Sequence, residues 1–346
     1  MTRRLVFGAL ALRPNGSGVQ TYQRELVREV AALADARDLS LSAVVQEDAT
    51  TELPDTVTPV TRPVASGVRR ALEGLRPVEA DIFHGLDVDL PLRQRSATVS
   101  TVHDMSVFDT PWAMSRLRAV GEQQLLRSSL RRADALIAVS EFTAERIQAL
   151  TGRTATVTPL APAPWARIPA EEEVTQVREK YRLPERFVLQ LGTLEPRKRP
   201  DIVNDALSRL GVPLVLAGGN TDSPHRPAGS IGLGYIDLAD IPALYRAATV
   251  VAYASSYEGF GLPPVEAMAC GAVVVASAVG GIPEAVGDGA VVVGGLNPDR
   301  WREALSPALD DAAFRTDLRT RAVEQVASLT WANTAAATMA VYDTLR

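Results

Sequence analysis

A two-domain α/β protein with a parallel sheet in each half is what this sequence predicts. Three observations carry the expectation. Short apolar runs alternate with amphipathic helical segments along the whole chain. The alternation breaks at Pro159-Leu160-Ala161-Pro162-Ala163-Pro164, where three prolines stiffen a linker, and then restarts. At 346 residues, the chain exceeds the ~250–300 at which a single hydrophobic core stops growing. The break assigns residues 1–165 to a first domain and 166–329 to a second.

In the first domain, residues 3–10 form a strand, Arg13-Pro14-Asn15-Gly16-Ser17-Gly18 a loop, and Val19 to about Ala34 a helix with Leu26, Val27, Val30 and Leu33 in apolar spacing. Strand, glycine loop and helix allow a backbone to approach a phosphate. Gly-Ser-Gly lacks the third spaced glycine of a dinucleotide fingerprint, and no acidic residue clearly ends the second strand, Leu41 to Val45. Pro54 to Pro63 reads as a surface connection or a short strand. Ala80 to Gly85 is a buried strand whose loop carries Asp87-Val88-Asp89. Ala97 to Val102 is a continuous strand with His103-Asp104 at its C-terminal end, the edge at which open α/β sheets bind ligands. A histidine there is either a ligand contact or a structural hydrogen-bonder. Trp112 to Arg132 reads as a helix bearing Arg116, Arg118, Arg127, Arg131 and Arg132, with leucines interleaved. The strand Ala133 to Ser140 follows, and Ser140 is placed to cap a helix from Glu141 to Leu150.

In the second domain, the strand Phe187 to Thr193 leads into Leu194-Glu195-Pro196-Arg197-Lys198-Arg199. Only two of the 36 basic residues are lysines, so Lys198 stands out against an arginine background. Pro213 to Gly219 is a strand and glycine turn, residues 220–230 read as a mobile loop, and Leu238 to Ala247 as a helix. A buried strand, Thr249 to Tyr253, then runs into Ser256-Tyr257-Glu258-Gly259-Phe260-Gly261-Leu262-Pro263-Pro264-Val265-Glu266-Ala267-Met268-Ala269-Cys270-Gly271. Pro263 and Pro264 suit the first turn of a helix, where a missing N–H costs nothing, and Gly271 suits its end. The N–H groups of Gly261 and Leu262 then point out of the positive end of that helix, an anion site. With Glu258 in the loop and Glu266 in the helix, two carboxylates flank it. Phosphates and hydroxyls together describe a sugar nucleotide. Gly280-Gly281-Ile282-Pro283-Glu284 begins another short helix, as a structural turn or as a close approach to ligand. Trp301 to Val326 reads as two amphipathic helices, and Thr330 as the N-cap of the last one.

Composition removes other classes. A net charge of −5 argues against a nucleic-acid binder. The single cysteine, Cys270, excludes an internal disulfide, fits a reducing compartment, and reads as a small buried apolar residue. The basic start and short apolar run of residues 1–12 read as a first strand rather than a signal peptide. No stretch approaches the ~18 uncharged apolar residues of a membrane span, so a cytoplasmic location is expected.

The Glu258–Gly271 stretch resembles the signature of the retaining glycosyltransferases of family 4, which have the GT-B fold. Thr101-Val102-His103-Asp104, Ala138-Val139-Ser140-Glu141-Phe142-Thr143 and Gly192-Thr193-Leu194-Glu195-Pro196-Arg197-Lys198 resemble further segments of that family in the same order. The resemblance implies two Rossmann-like domains facing a cleft, with helix 330–346 crossing back to the first domain. It implies transfer of a hexose from a nucleoside-diphosphate sugar to a hydroxyl of a saccharide, lipid-linked or small-molecule acceptor, with retention. GDP-mannose is the first guess for the donor, by similarity to bacterial polysaccharide mannosyltransferases; dTDP-rhamnose and UDP-hexoses compete. By the same resemblance, Glu258 holds donor-sugar hydroxyls, Glu266 the ribose, and Arg197 and Lys198 the diphosphate. His103 lies near the reacting sugar. Gly16, Gly18, Gly192, Gly259, Phe260, Gly261 and Leu262 approach the donor, and the backbone at Tyr235 and Ile236 reads the base. No metal or cofactor is implied, so Asp87-Val88-Asp89 is set aside as a metal motif. Related enzymes dock on anionic membrane through a face like that of residues 112–132; a solvated face is the other reading. A sugar-nucleotide epimerase of the same fold and a non-catalytic nucleotide-sugar binder remain as alternatives.

Overall fold

The computed structural model describes residues 2–14, 18–87 and 90–345. Two compact units emerge, Met1–Leu160 with Thr330–Arg346, and Ala161–Leu329. The division falls five residues before the expected 165/166 boundary, for a local reason. Thr158 donates its amide to Ala138 and Pro159 accepts from Thr334, which ties them to the first unit. Ala163 donates its amide to the carboxylate of Glu266, which ties residues 161–165 to the second.

The first unit is built on a seven-stranded sheet of β1 (Arg3–Gly8), β2 (Leu39–Gln46), β3 (Val57–Arg62), β4 (Ile82–Gly85), β5 (Ala97–Val102), β6 (Ala135–Ala138) and β7 (Thr156–Val157), ordered β3-β2-β1-β4-β5-β6-β7. Every pairing is parallel. The inner strands are buried because helices cover a parallel sheet on both faces. The proline-rich stretch becomes β3 because Pro59 sits on an outer strand, where its missing N–H breaks no ladder. Sequence order reverses between β1 and β4, which makes their C-terminal ends the switch point of the sheet. Thr330 caps the last helix, Trp331–Asp343, by accepting from the amide of Asn333. That helix packs against Val19–Leu33 in the same unit, burying Trp331, Ala335, Met339 and Tyr342. At ~1.5–3 kcal/mol per fully buried large apolar side chain, this face is enough to hold it there.

The second unit carries a six-stranded parallel sheet of β8 (Val188–Leu191), β9 (Leu214–Ala217), β10 (Ile231–Gly232), β11 (Val250–Tyr253), β12 (Val274–Ser277) and β13 (Val291–Val293), ordered β10-β9-β8-β11-β12-β13. Here the order reverses between β8 and β11, so the loops leaving those two strands border the switch point. Its core gathers Val188, Leu214, Val250 and Val275 from the sheet with Trp301, Leu305 and Leu318 from the two amphipathic helices, Pro298–Asp310 and Ala312–Ala327.

Three local expectations need correction. The arginine-bearing helix begins at Arg116, because Pro111–Ala113 is a separate single turn and Met114 is extended. The helix expected from Leu238 splits into a turn at Leu238–Asp240 and a helix Ile241–Ala247. Residues 220–230 are pinned: Thr221 donates to the carbonyl of Gly218 and accepts from the amide of Gly234, and Arg226 donates to Ser230.

Candidate functional site

In the second unit, two loops that are distant in sequence meet because β8 and β11 are neighbours. The loop after β8 makes a single turn, Pro196–Lys198, and reverses through Arg199, whose φ of 42° is left-handed. Its backbone is clamped twice. Gln190 donates to the carbonyl of Lys198 at 2.7 Å, and Ser256 donates its amide and hydroxyl to the carbonyl of Arg197 at 2.8 and 3.1 Å. Arg197 and Lys198 are thereby aimed at the loop after β11. Lys198 Nζ lies 2.6 Å from Glu258 Oε1, and Arg197 Nη1 lies 3.2 Å from Glu258 Oε2. Ser255 donates to the same Oε1 at 2.8 Å, and Arg197 Nε also pairs with Glu195.

The Glu258 side chain is only 13% exposed. Burial pushes its pKa up, but Lys198 and Arg197 outweigh burial and hold it below the usual carboxylate range. The result is a buried anion between two fixed cations, the kind of pair that is strongly destabilised when one partner is removed. Gly280 presses against the backbone of Glu258 so closely that a Cβ there would stand 1.7 Å from the Glu258 carbonyl oxygen. Gly281 donates its amide to that carbonyl. Of the two readings of this glycine pair, the structural turn is the one these contacts fit, because what Gly280 approaches is the backbone of the Glu258 loop.

The helix Leu262–Ala269 starts as its residues dictate. Gly261, at φ 99°, is its N-cap, and Pro263 lies in the first turn. Gly271, at φ 73°, follows its C-terminus in the left-handed conformation that closes a helix. Phe260 and Leu262 are buried, and first-turn N–H groups have no acceptor within the helix. Glu266 lies deeper in the same helix. Burial pushes its carboxyl up to about 8, against the lowering effect of the Ala163 amide. Cys270 is fully buried, and its thiol is pushed up to about 12, chiefly by burial, so it is packing and no nucleophile.

The remaining expected contacts separate by place. Gly192, at φ 144°, leaves β8, and Gly218 meets it so tightly that a Cβ would stand 2.5 Å from the Gly192 carbonyl oxygen. Tyr235 is 74% exposed while Ile236 is buried. Gly16 lies outside the described residues, as does Asp89; Asp87 faces Arg70 at 3.8 Å. Gly18, at φ 61°, opens the helix Val19–Leu33 in the first unit. His103 follows β5 in that same unit. Its Nε2 donates to the carbonyl of Leu86 at 2.9 Å, and its ring meets Tyr22 edge-on with centroids 4.8 Å apart. Three of the five arginines in the 112–132 segment are engaged: Arg118 with Glu122, Arg127 over the ring of Phe108, Arg132 with Leu90 and Pro91. Among the described residues, no three His, Cys, Asp or Glu side chains converge into a metal-binding group. No described helix is long and apolar enough to cross a membrane.

Some contributors carried no signal in the sequence. Ser256 ties the two loops through contacts with Arg197 that form only when β8 and β11 pair, while Ser255 and Gln190 brace Glu258 and Lys198 within their own strand–loop segments. His84, Thr101 and Tyr342 are buried near His103, and the sequence points to no role for any of the three side chains, although Thr101 opens the Thr101–Asp104 segment.

Comparison with known proteins decides the family. The family described as glycosyl transferases group 1 matches residues 173–325, and glycosyltransferase family 4 matches residues 16–162. An O-antigen chain mannosyltransferase B from Escherichia coli is 32% identical over 297 residues, covering 80% of this chain and 78% of that protein. The chain belongs to the family 4, group 1 glycosyltransferases. Its fold is GT-B. Sucrose-phosphate synthase from Thermosynechococcus elongatus superposes with a TM-score of 0.77 at 20% identity, covering 99% of this chain and 98% of the other. Anabaena HepE, solved in complex with UDP and glucose, superposes with a TM-score of 0.72 at 19% identity, covering 99% and 100%. The two family matches correspond to the two structural units, and this glycosyltransferase carries the Lys198–Glu258–Arg197 cluster in the group 1 portion.

Proposed function

We infer that this glycosyltransferase moves a hexose from a nucleoside-diphosphate sugar to an acceptor hydroxyl, with retention and without a metal. The observation that carries the reading is Glu258 held between Lys198 and Arg197 at the switch point of the second sheet. A diphosphate leaving group gains negative charge as its bond to the anomeric carbon breaks. Two cations fixed in place before that charge develops lower the barrier by preorganisation. The acceptor oxygen bonds to the anomeric carbon, and its proton passes to the departing phosphate. Glu258 takes donor-sugar hydroxyls, Glu266 the ribose, and the main chain of Gly261 and Leu262 a phosphate. His103 binds near the reacting sugar.

GDP-mannose is our first choice of donor, supported by the mannosyltransferase relative. UDP-hexoses and dTDP-rhamnose compete, the former supported by the UDP complex of HepE. A saccharide, lipid-linked or small-molecule hydroxyl is the acceptor. We place the enzyme in the cytoplasm, supported by the free thiol of Cys270; contact with the inner membrane face, the alternative to a solvated helix, is supported by the exposure of Trp112, Leu117 and Val120 in the segment that also carries Arg116 and Arg131.

A thermal-shift panel of GDP-, UDP-, dTDP- and ADP-sugars tests this, because stabilisation follows affinity. One base should stand out, unchanged by EDTA. A shift that needs magnesium would overturn the metal-free assignment, and no shift with any of them would overturn the donor reading.

A further inference from the structure

A chain of buried side chains runs beneath His103. Tyr342 Oη lies 2.5 Å from His84 Nδ1, His84 Nε2 lies 2.8 Å from Thr101 Oγ1, and Thr101 Oγ1 lies 2.8 Å from Tyr22 Oη. None of the four side chains reaches solvent to any useful extent; their exposures are 2%, 0%, 1% and 0%. Buried polar groups need partners, and a neutral imidazole accepts at one nitrogen and donates at the other. His84 is neutral, because burial first and His103 second push its pKa down to about 3. It therefore links the two hydroxyls only when both are present.

The chain ends under a site residue. Tyr22 meets the His103 ring edge-on at an interplanar angle of 81°, and the ring of Trp331 stands 6.2 Å from that of Tyr22. Trp331 and Tyr342 both belong to the C-terminal helix Trp331–Asp343. A carbonyl can only accept, so the contact with Leu86 puts a proton on His103 Nε2.

We propose that the C-terminal helix sets the orientation of His103: Tyr342, through His84 and Thr101, and Trp331, by ring contact, hold Tyr22, and Tyr22 holds the imidazole. Tyr22 is thus a positioning residue. The kinetic part of the proposal rests on the transfer reading above; the structural part stands without it.

The protein has three histidines, so single substitutions assign each ring in ¹⁵N-labelled protein. His103 should show the Nε2–H tautomer. Thr101→Val keeps the shape of the side chain and removes the hydroxyl; it should shift His103 toward a tautomer mixture, and Thr101→Ser should restore the wild-type signal. With GDP-mannose, UDP-glucose or dTDP-rhamnose, whichever is turned over, Thr101→Val should lower kcat about 10- to 100-fold with donor KM within about twofold. Thr101→Ser should recover most of the rate. A folded Thr101→Val protein with an unchanged His103 signal would overturn the proposal. If the wild type turns over none of the three, the transfer reading fails while the NMR comparison still decides the positioning role. Should Thr101→Val melt below the assay temperature, Tyr342→Phe removes one oxygen at the far end of the chain and carries the same expectations.

Discussion

Glu258 Oε1 rests 2.6 Å from Lys198 Nζ, across a separation of 60 residues in the chain. The pair is held from both sides, by Gln190 and Ser256 on the lysine loop and by Ser255 and Gly281 on the glutamate loop. With Arg197 and Glu195 it forms a neutral quartet. On the proposed donor reading, a diphosphate would compete with the Glu258 carboxylate for the same two cations.

Glu258→Gln should therefore separate affinity from turnover. Removing the internal competitor should tighten binding of the bare nucleoside diphosphate by roughly tenfold, or ~1.4 kcal/mol. Loss of the charged hydroxyl acceptor should lower kcat by about 10²- to 10³-fold. Calorimetry with the diphosphate and initial rates with the donor check both. Weaker diphosphate binding in the variant would count against the competition.

Glu266 should make stability depend on pH. Its carboxyl, pushed up to about 8, binds its proton more tightly in the folded chain than in the unfolded one, where the reference value is 4.5. Stability is thus lost as pH rises from about 4.5 through about 8. Glu266→Gln keeps an acceptor for the Ala163 amide and cannot ionise. Its Tm should match the wild type near pH 5 and exceed it by several degrees near pH 8.5. Parallel Tm curves would refute a proton held on Glu266 by burial.

Gly280→Ala should act on the site through the backbone. Its φ is +58°, and the added Cβ would strike the carbonyl of Glu258. The loop must move, so a drop of several degrees in Tm and a loss of at least about tenfold in kcat are expected. Gly295→Ala, at a positive φ with nothing within 4 Å, carries backbone strain alone and should leave kcat near wild type.

Membrane contact makes a separate prediction. Leu117 is 86% exposed and Val120 55%, on the same helix as Arg116 and Arg131. The protein should sediment with vesicles containing anionic phosphatidylglycerol and not with phosphatidylcholine alone. The double change Leu117→Asp and Val120→Asp should cut the bound fraction at least about fivefold. Equal binding by that variant would return the helix to the role of a solvated face.

Much of the site could be read from the sequence because its parts are local. Pro263 in the first turn and Gly271 after the last residue bracket a helix through rules that act within a few residues. The same holds for Ser140, which caps its helix by accepting from the amide of Thr143, and for Thr330. Helix starts were harder where short turns precede them: Pro111–Ala113 and Leu238–Asp240 satisfy the same apolar spacing as the helices they adjoin.

By itself, the amino-acid order determined the two α/β halves, the strand that each candidate residue follows, and the presence of acids, cations and a glycine-rich corner fit for a sugar nucleotide. Those features depend on periodicity and capping, which a window of a dozen residues contains. Only the tertiary structure decided that Glu258 is an ion-paired anion while Glu266 holds its proton, since the difference lies in which strands are neighbours and which cations they bring. It alone joined Tyr342 and Trp331 to Tyr22 beneath His103, because such contacts exist only after the last helix has packed against the first.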